Sequence, residues 1–359
     1  MTKLFGTDGI RGVAGDFPLD APTVRLIASS LTRHLGVESP RLLIGRDTRE
    51  SGVWIEGSFL AGVRAAGAEI VSAGVITTPG IAYLTGKLGF DAGVVISASH
   101  NPFQDNGIKV FMPSGRKLDA AAEKKIEADI ANAAVEAAIP EPSGDPSTTD
   151  PHLAEQYLEH LAGVFPGLNL TGLKLVMDCA NGAASALAPQ LFARLGAEVV
   201  ALNTDPDGQN INRDCGSLHL DGLQQRVIAE SADLGIAFDG DADRSLFVDD
   251  RGEKVDGDAT LWVIANYLES KDRLKGHVVV ATVMSNIGLE VALRSKGVRL
   301  IRADVGDKYV LENLLRSGAN IGGEQSGHLI FPELSLSGDG ILTSLFLLQV
   351  ICDTGMSLE

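Results

Sequence analysis

Three stretches of the chain repeat one pattern of apolar and polar positions. Leu42-Leu43-Ile44-Gly45 runs into Arg46-Asp47-Thr48-Arg49. A helical pattern follows to Ala66-Gly67, and a second apolar run starts at Ala68-Glu69-Ile70-Val71. Leu173 to Val176 leads into Asp178-Cys179-Ala180-Asn181-Gly182, then a helix to Leu195-Gly196, then Ala197-Glu198-Val199-Val200. Val278 to Ala281 leads into Thr282-Val283-Met284-Ser285-Asn286, then a helix to Lys296-Gly297, then Val298-Arg299-Leu300-Ile301. Each glycine stands where a helix C-terminus is expected, because glycine enters the left-handed region there without a steric penalty. Gly67, Gly196 and Gly297 are 129 and 101 residues apart. That period is too long for a solenoid. It predicts three consecutive α/β domains, each with a mixed sheet and a βαβ unit.

Between these repeats the apolar run Val94-Val95-Ile96 predicts a short buried strand that ends in Ser97-Ala98-Ser99-His100-Asn101-Pro102. Pro102 disfavours the α region for Asn101, so the chain stays extended or turns here. Ser97, Ser99 and His100 are thereby predicted on a loop at the end of a buried strand, where open α/β sheets place ligands. Residues 117–138 predict a helix with Leu118, Ile126 and Ile130 on one face. Residues 140–151 hold Pro140, Pro142, Gly144, Pro146 and Pro151, a linker composition. With a second boundary after the Asp249-Asp250-Arg251-Gly252 turn, the expected domains are 1–150, 151–255 and 256–359. A helix over Ile341 to Cys352 is apolar on several sides and is expected to be buried.

Composition narrows the function classes. The 359 residues carry 30 basic and 47 acidic side chains, a net charge of −17, which argues against nucleic-acid or anionic-membrane partners. An anionic small substrate then needs a bound cation or a local Lys/Arg cluster. No run of 18 apolar residues exists to span a membrane, and residues 1–15 lack the apolar core of a signal peptide. Cys179, Cys215 and Cys352 lack metal-ligand spacing and read as reduced thiols, so a cytoplasmic location is expected. The sequence admits a homodimer without specifying one.

Four stretches carry candidate chemistry. Leu4 to Gly12 places three glycines around Thr7, Asp8 and Arg11, which reads either as a flexible terminus or as backbone that comes close to something. In the Ser97–Pro102 loop, His100 is poorly placed to deprotonate Ser99 if the chain is extended, because adjacent side chains then point to opposite sides. No Gly-x-Ser-x-Gly elbow is present. A serine that carries a phosphoryl group instead needs a nearby metal and donors for the phosphate oxygens. Asp239-Gly240-Asp241-Ala242-Asp243-Arg244 lies between apolar runs, and carboxylates at i, i+2 and i+4 of an extended loop face one way. They read either as a solvated turn or as ligands for one hard cation, Mg²⁺ fitting better than an EF-hand Ca²⁺ because Arg244 and Asp250 occupy the Gly and Glu positions. Gly322-Gly323-Glu324-Gln325-Ser326-Gly327-His328 can offer Glu324 and Ser326 to sugar hydroxyls and His328 to proton transfer. Lys109, ten residues after Ser99, can return through a hairpin, and Arg11, Arg244 and Lys308 add candidate phosphate contacts.

The motifs Phe5-Gly-Thr-Asp-Gly-Ile-Arg-Gly12, Ser97-Ala-Ser-His-Asn-Pro102, Asp239-Gly-Asp-Ala-Asp-Arg244 and Gly323-Glu-Gln-Ser-Gly-His328, in this order over essentially the whole chain, resemble those of the α-D-phosphohexomutases. Gln325 and the stretch Val305-Gly-Asp-Lys-Tyr309 resemble the branch acting on glucosamine phosphates. The resemblance implies domains 1–3 of that fold and a cytoplasmic isomerase that moves a phosphoryl group between O6 and O1 of glucosamine phosphate through a bisphosphate, supplying amino-sugar nucleotide and cell-wall synthesis. It implies Ser99 as the phosphoserine, and one Mg²⁺ per chain held by Asp239, Asp241, Asp243 and the Ser99 phosphate. Glu324 and Ser326 would meet the hexosamine phosphate. Arg11, Lys109, His100, Arg244 and His328 would surround the phosphoryl group, with His328 or Lys109 as proton acceptor. The family's fourth domain, with an Arg-x-Ser-Gly-Thr loop, has no counterpart in this sequence. A chain that binds Mg²⁺ and accepts phosphate, but turns over poorly, is therefore expected. The competing readings are a phosphomannomutase/phosphoglucomutase, a non-catalytic sugar-phosphate-binding fragment and a metal phosphatase.

Overall fold

The computed structural model describes residues 3–132 and 149–358. They fall into two units, Met1–Tyr157 with Pro206–Ile211, and Leu158–Asp205 with Asn212–Glu359. In the first unit, β1 (Phe5–Gly6), β2 (Gly9–Val13), β3 (Arg41–Arg46), β4 (Glu69–Val75), β5 (Ala92–Ile96) and β6 (Asp105–Phe111) form one sheet in the order β1-β2-β6-β5-β3-β4. β3 pairs in parallel with both β4 and β5, whereas β5 with β6, β6 with β2 and β2 with β1 are antiparallel. The helices are α1 (Ala21–His34), α2 (Glu50–Ala65), α3 (Thr78–Lys87) and α4 (Ala120–Asn132). Asp20 caps α1 by accepting the Thr23 N–H at 3.0 Å, and a proline occupies its first turn. α1 packs on α2 and α4, and their apolar stripes join Ile44, Val94, Ile96 and Ile108 of the sheet in one core. Every residue of β5 is buried, as its continuous apolar run predicts, and each such aliphatic side chain contributes about 2 kcal/mol.

α5 (His152–Val164) spans the sequence boundary of the two units. The second unit contains two sheets. β7 (Lys174–Asp178), α6 (Ala184–Arg194), β8 (Glu198–Leu202), α7 (Asp221–Glu230), β9 (Leu234–Phe238), β10 (Ser245–Val248) and β11 (Lys254–Val255) give the sheet order β11-β10-β9-β7-β8. α8 (Gly257–Ser270), β12 (Val278–Thr282), α9 (Ile287–Ser295), β13 (Arg299–Ala303), α10 (Asp307–Ser317), β14 (Gly322–Gly323), β15 (Leu329–Ile330) and α11 (Gly340–Thr354) follow, with sheet order β13-β12-β14-β15. The protein thus has three α/β domains with mixed sheets, and all three predicted strand–helix–strand units are present. Gly67, Gly196 and Gly297 close the helices with φ of 81°, 101° and 76°, the left-handed values their positions demanded.

Several elements differ from the sequence expectation. The helix expected from residue 117 starts at Ala120. Asp119 Oδ1 accepts the Ala121 and Ala122 N–H groups at 2.9 and 2.8 Å, while Lys117 bridges to Phe111 as extended chain. Residues 133–138 of that helix, and 140–148 of the expected linker, lie outside the described residues. The glycine-rich start is a strand pair and not a flexible terminus. A Cβ on Gly9 would lie 2.3 Å from the Ile108 carbonyl oxygen, so the close approach is to β6. α11 is buried as expected and longer, because Asp339 caps it through the Leu342 N–H at 2.9 Å and Gly355 ends it with φ 65°. Among the described residues no helix is long and apolar enough to cross a membrane.

Candidate functional site

In the first unit the chain leaves β5 at Ser97, whose N–H donates to the Gly107 carbonyl at 3.1 Å. Ser99 is buried and has φ 53°, so the loop is not extended. This corrects the argument that set His100 away from Ser99: the turn brings Ser99 Oγ to 3.4 Å from His100 Nδ1. The two serines have different surroundings. The Ser97 hydroxyl donates to Asp47 Oδ2 at 2.6 Å and accepts the Ser99 N–H at 2.9 Å, so its hydrogen bonds hold the loop together.

The antiparallel pairing of β5 with β6 sets Lys109 opposite Val95, buried, with its Nζ 2.9 Å from Asp8 Oδ2. Arg11, opposite Gly107 on β2, donates to the same carboxylate, and so does Lys117. One acid therefore gathers three cations, and the local excess of positive charge suits an anion despite the chain's net −17. Arg11 and Lys109 were legible as basic residues beside motifs. Lys117 and the gathering role of Asp8 were not, because the sequence does not show that β2 and β6 are neighbours.

In the second unit the Asp239–Arg244 loop joins β9 to β10. Asp239, Asp241 and Asp243 are buried, and one ligand oxygen from each lies within 4.8 Å of the others. The convergence is real, but its cause is not an extended loop. The Ala242 N–H turns back to the Asp239 carbonyl at 3.0 Å and Ala242 has φ 55°. Arg244 N–H donates to Asp239 Oδ1 at 3.2 Å, and Arg244 Nε lies 3.7 Å from Asp243 Oδ1. Burial alone would lower the Arg244 pKa, but Asp243, Asp239 and Glu324 raise it, so the guanidinium stays charged. Three carboxylates against this one fixed cation leave the buried loop negative, and a divalent cation with oxygen ligands fits that charge and donor set. The solvated-turn alternative fails on burial.

The Gly323–His328 stretch packs against this loop. Ser245 N–H donates to the Gly327 carbonyl at 3.2 Å, and a Cβ on Gly327 would lie 2.2 Å from the Ser245 carbonyl oxygen. His328 is buried, with Nδ1 3.5 Å from Asp243 Oδ1 and Nε2 accepting the Gly338 N–H at 3.1 Å. Burial lowers its pKa, and Asp243 and Asp307 more than offset that, so the net direction is up. The Gly338 donor opposes a proton on Nε2, which places the ring proton on Nδ1, toward Asp243. Glu324 Oε1 accepts the Gly306 N–H at 3.0 Å, which ties the sugar-loop candidate to the Val305–Lys308 stretch. Lys308 itself is exposed in the first turn of α10. Ser245 Oγ, Ser326 Oγ and Arg244 Nε are buried without a hydrogen bond among the described residues, which is costly unless a polar ligand completes them.

Two supports of the acidic loop were not read as such from the sequence. Ala183 N–H donates to the Gly240 carbonyl at 2.8 Å, within the Asp178–Ala183 turn that follows β7. Asp178 holds that turn, accepting Ala180 N–H and Gly216 N–H at 2.9 Å each, and its pKa is raised by burial. Gly340, at the start of α11, donates to the Ala242 carbonyl at 2.9 Å, and a Cβ there would meet the Arg244 carbonyl oxygen at 2.4 Å.

Comparison with known proteins gives three family matches. They are phosphoglucomutase/phosphomannomutase α/β/α domain I over residues 2–136, domain II over 155–252 and domain III over 256–359. The chain is 49% identical to a phosphoglucosamine mutase of Solibacter usitatus over 99% of this chain and 80% of that protein. It is 47% identical to one of Caldicellulosiruptor saccharolyticus over 100% of this chain and 80% of that protein. A crystal structure of a phosphoglucomutase/phosphomannomutase family protein from Burkholderia thailandensis superposes with a TM-score of 0.82 at 30% identity, covering 98% of this chain and 77% of that one.

Proposed function

The chain belongs to the phosphoglucomutase/phosphomannomutase family, the α-D-phosphohexomutases, and from that premise we propose that it interconverts glucosamine 6-phosphate and glucosamine 1-phosphate with Ser99 as phosphoryl carrier. The observation that carries the sugar assignment is the 47–49% identity, over nearly the whole chain, to phosphoglucosamine mutases. The carrier assignment is supported by the loop: Ser97 is committed to Asp47 and to the Ser99 backbone, while Ser99 Oγ faces the His100 ring.

In the forward direction a sugar hydroxyl oxygen attacks the phosphorus on Ser99. A new P–O bond to the sugar forms, the bond to Ser99 Oγ breaks, and the hydroxyl proton leaves to a base. Ser99 Oγ leaves with a proton; it then attacks the other phosphorus of the bisphosphate, the bond from that phosphorus to the sugar oxygen breaks, the hydroxyl proton passes to the freed sugar oxygen, and the phosphoserine is regenerated. Arg11 and Lys109, with Lys117, contact phosphoryl oxygens. Lys109 Nζ lies 2.9 Å from Asp8 Oδ2, an ion pair that suits oxygen binding more than proton abstraction. His328 is no better placed to take the proton, because its Nε2 lone pair accepts the Gly338 N–H and its Nδ1 faces Asp243. Glu324 and Ser326 contact sugar hydroxyls, and Arg244 and Lys308 take the phosphate of the sugar. Mg²⁺, when held by Asp239, Asp241 and Asp243, neutralises charge on the transferring group. Hydrolysis of phospho-Ser99 would stop the cycle, so exclusion of water from the loop matters.

The test is a coupled glucosamine 1-phosphate assay with Mg²⁺. Turnover is expected, and Ser99→Ala should lose roughly 10³-fold or more. Free phosphate as the main product would make this a phosphatase. Higher kcat/KM for mannose or glucose phosphates would move it to the other branch. The family matches support a division near residues 150 and 255, which limited proteolysis would check.

A further inference from the structure

Asp47 and Arg49 are a fully buried ion pair that the proposed reaction does not use. They lie between the end of β3 and α2, and the Asp47 N–H continues the parallel pairing to the Ile96 carbonyl at 3.1 Å. Arg49 N–H donates to Asp47 Oδ1 at 3.0 Å and its Nε to Asp47 Oδ2 at 2.9 Å. The rest of the guanidinium serves the opposite loop. Its Nη2 donates to the Ser99 carbonyl at 2.9 Å and the Asn101 carbonyl at 2.8 Å, and its Nη1 to the Pro102 carbonyl. Asp47 Oδ2 in turn accepts from the Ser97 hydroxyl, which accepts the Ser99 N–H. Both peptide groups of Ser99 are thus tied to one pair, its N–H through Ser97 and Asp47, its carbonyl through Arg49.

Ser99 needs such a tie. Its φ of 53° is a conformation that residues with a Cβ adopt reluctantly. A buried ion pair is also a poor choice for stability alone, since apolar side chains of similar volume serve a core as well or better. What this pair supplies is directional: a planar fork that reaches three carbonyl oxygens of one loop and a carboxylate at once. We infer that Asp47 and Arg49 are positioning residues for phosphoryl transfer, fixing the Ser99 peptide in its left-handed conformation so that Oγ meets phosphorus at one angle. This rests on Ser99 being the carrier.

The test compares wild type, Arg49→Lys and Ser97→Ala. Each is incubated with glucosamine 1,6-bisphosphate and Mg²⁺, Ser99 phosphorylation is followed by intact mass, and kcat and KM for glucosamine 6-phosphate are measured. Near-UV circular dichroism reports folding. Lysine keeps the charge but cannot reach three carbonyls and the carboxylate together. The expected result for Arg49→Lys is a native spectrum, KM within about twofold, and phosphorylation rate and kcat both down about 100-fold, the scale of an ångström's misplacement. Ser97→Ala, which removes only the relay to the Ser99 N–H, should lose about tenfold in kcat with the same KM. Wild-type phosphorylation rates in folded Arg49→Lys would overturn the inference. If Arg49→Lys does not fold, an unchanged kcat in Ser97→Ala overturns it. A wild type that neither takes phosphate nor turns over would instead remove the carrier assignment, and this inference with it.

Discussion

Ser99 holds a left-handed backbone that glycine would adopt with about 1 kcal/mol less strain, yet the reaction proposed for it needs a hydroxyl. The same tension between backbone and chemistry does not touch the three cysteines, whose behaviour follows from burial. Burial pushes the Cys179 thiol far above its ordinary range and Cys215 up to about 12, whereas Cys352 is exposed. A thiol reagent at about pH 8 should therefore modify one cysteine of the native protein, Cys352, and three after denaturation. Rapid labelling of Cys179 in the folded chain would contradict this. At this scale the sequence displayed Ser99 and the three aspartates as candidates, since each stands in a polar loop that directly follows an apolar run. Asp47 and Arg49 were visible only as charged residues after a strand. Their partners lie 50 or more positions away, a distance no local pattern encodes.

Turns at strand ends decide where the functional side chains go. The turn after β7 clasps Gly240 of the acidic loop and is itself held by Asp178, which accepts two backbone N–H groups. Asp178→Ala should destabilise the protein by about 2–4 kcal/mol, because two buried donors lose their acceptor. Burial raises the Asp178 pKa above its unfolded value, so the native chain holds that proton more tightly. Its contribution to stability is then greatest below the unfolded pKa and declines as pH rises through the window up to the folded pKa. Chemical denaturation of wild type and Asp178→Ala across that window should show their difference narrowing as pH increases; a widening gap would reverse the assignment. The sequence marked this turn as a strand-to-helix junction. That it supports the next loop depends on β7 and β9 being parallel neighbours.

Net charge and the acidic loop set the behaviour of the molecule as a whole. With −17 overall, the chain repels an anionic sugar phosphate at long range, and the cations on Asp8 and a metal on the acidic loop must offset this locally. Mg²⁺ that binds the folded loop and not the unfolded chain should stabilise the protein, by about 2.7 kcal/mol at one hundred times Kd. A melting titration should show a rise in Tm with Mg²⁺ that chelator reverses and that Asp241→Asn largely abolishes. A Tm indifferent to divalent cations in wild type would exclude the cation site.

The chain's own order of apolar runs and glycines determined three α/β domains, their strand–helix–strand units and the loops that carry hydroxyl, carboxylates and imidazole, because these follow from periodicity and from φ preferences acting over a few residues. Tertiary structure alone decided that the Ser99 loop is turned and not extended, that Asp8 collects three cations, and that Asp178, Gly340, Asp47 and Arg49 brace the two loops. Those outcomes come from sheet register and from hydrogen bonds between segments far apart in sequence, whose geometry exists only once the strands have paired.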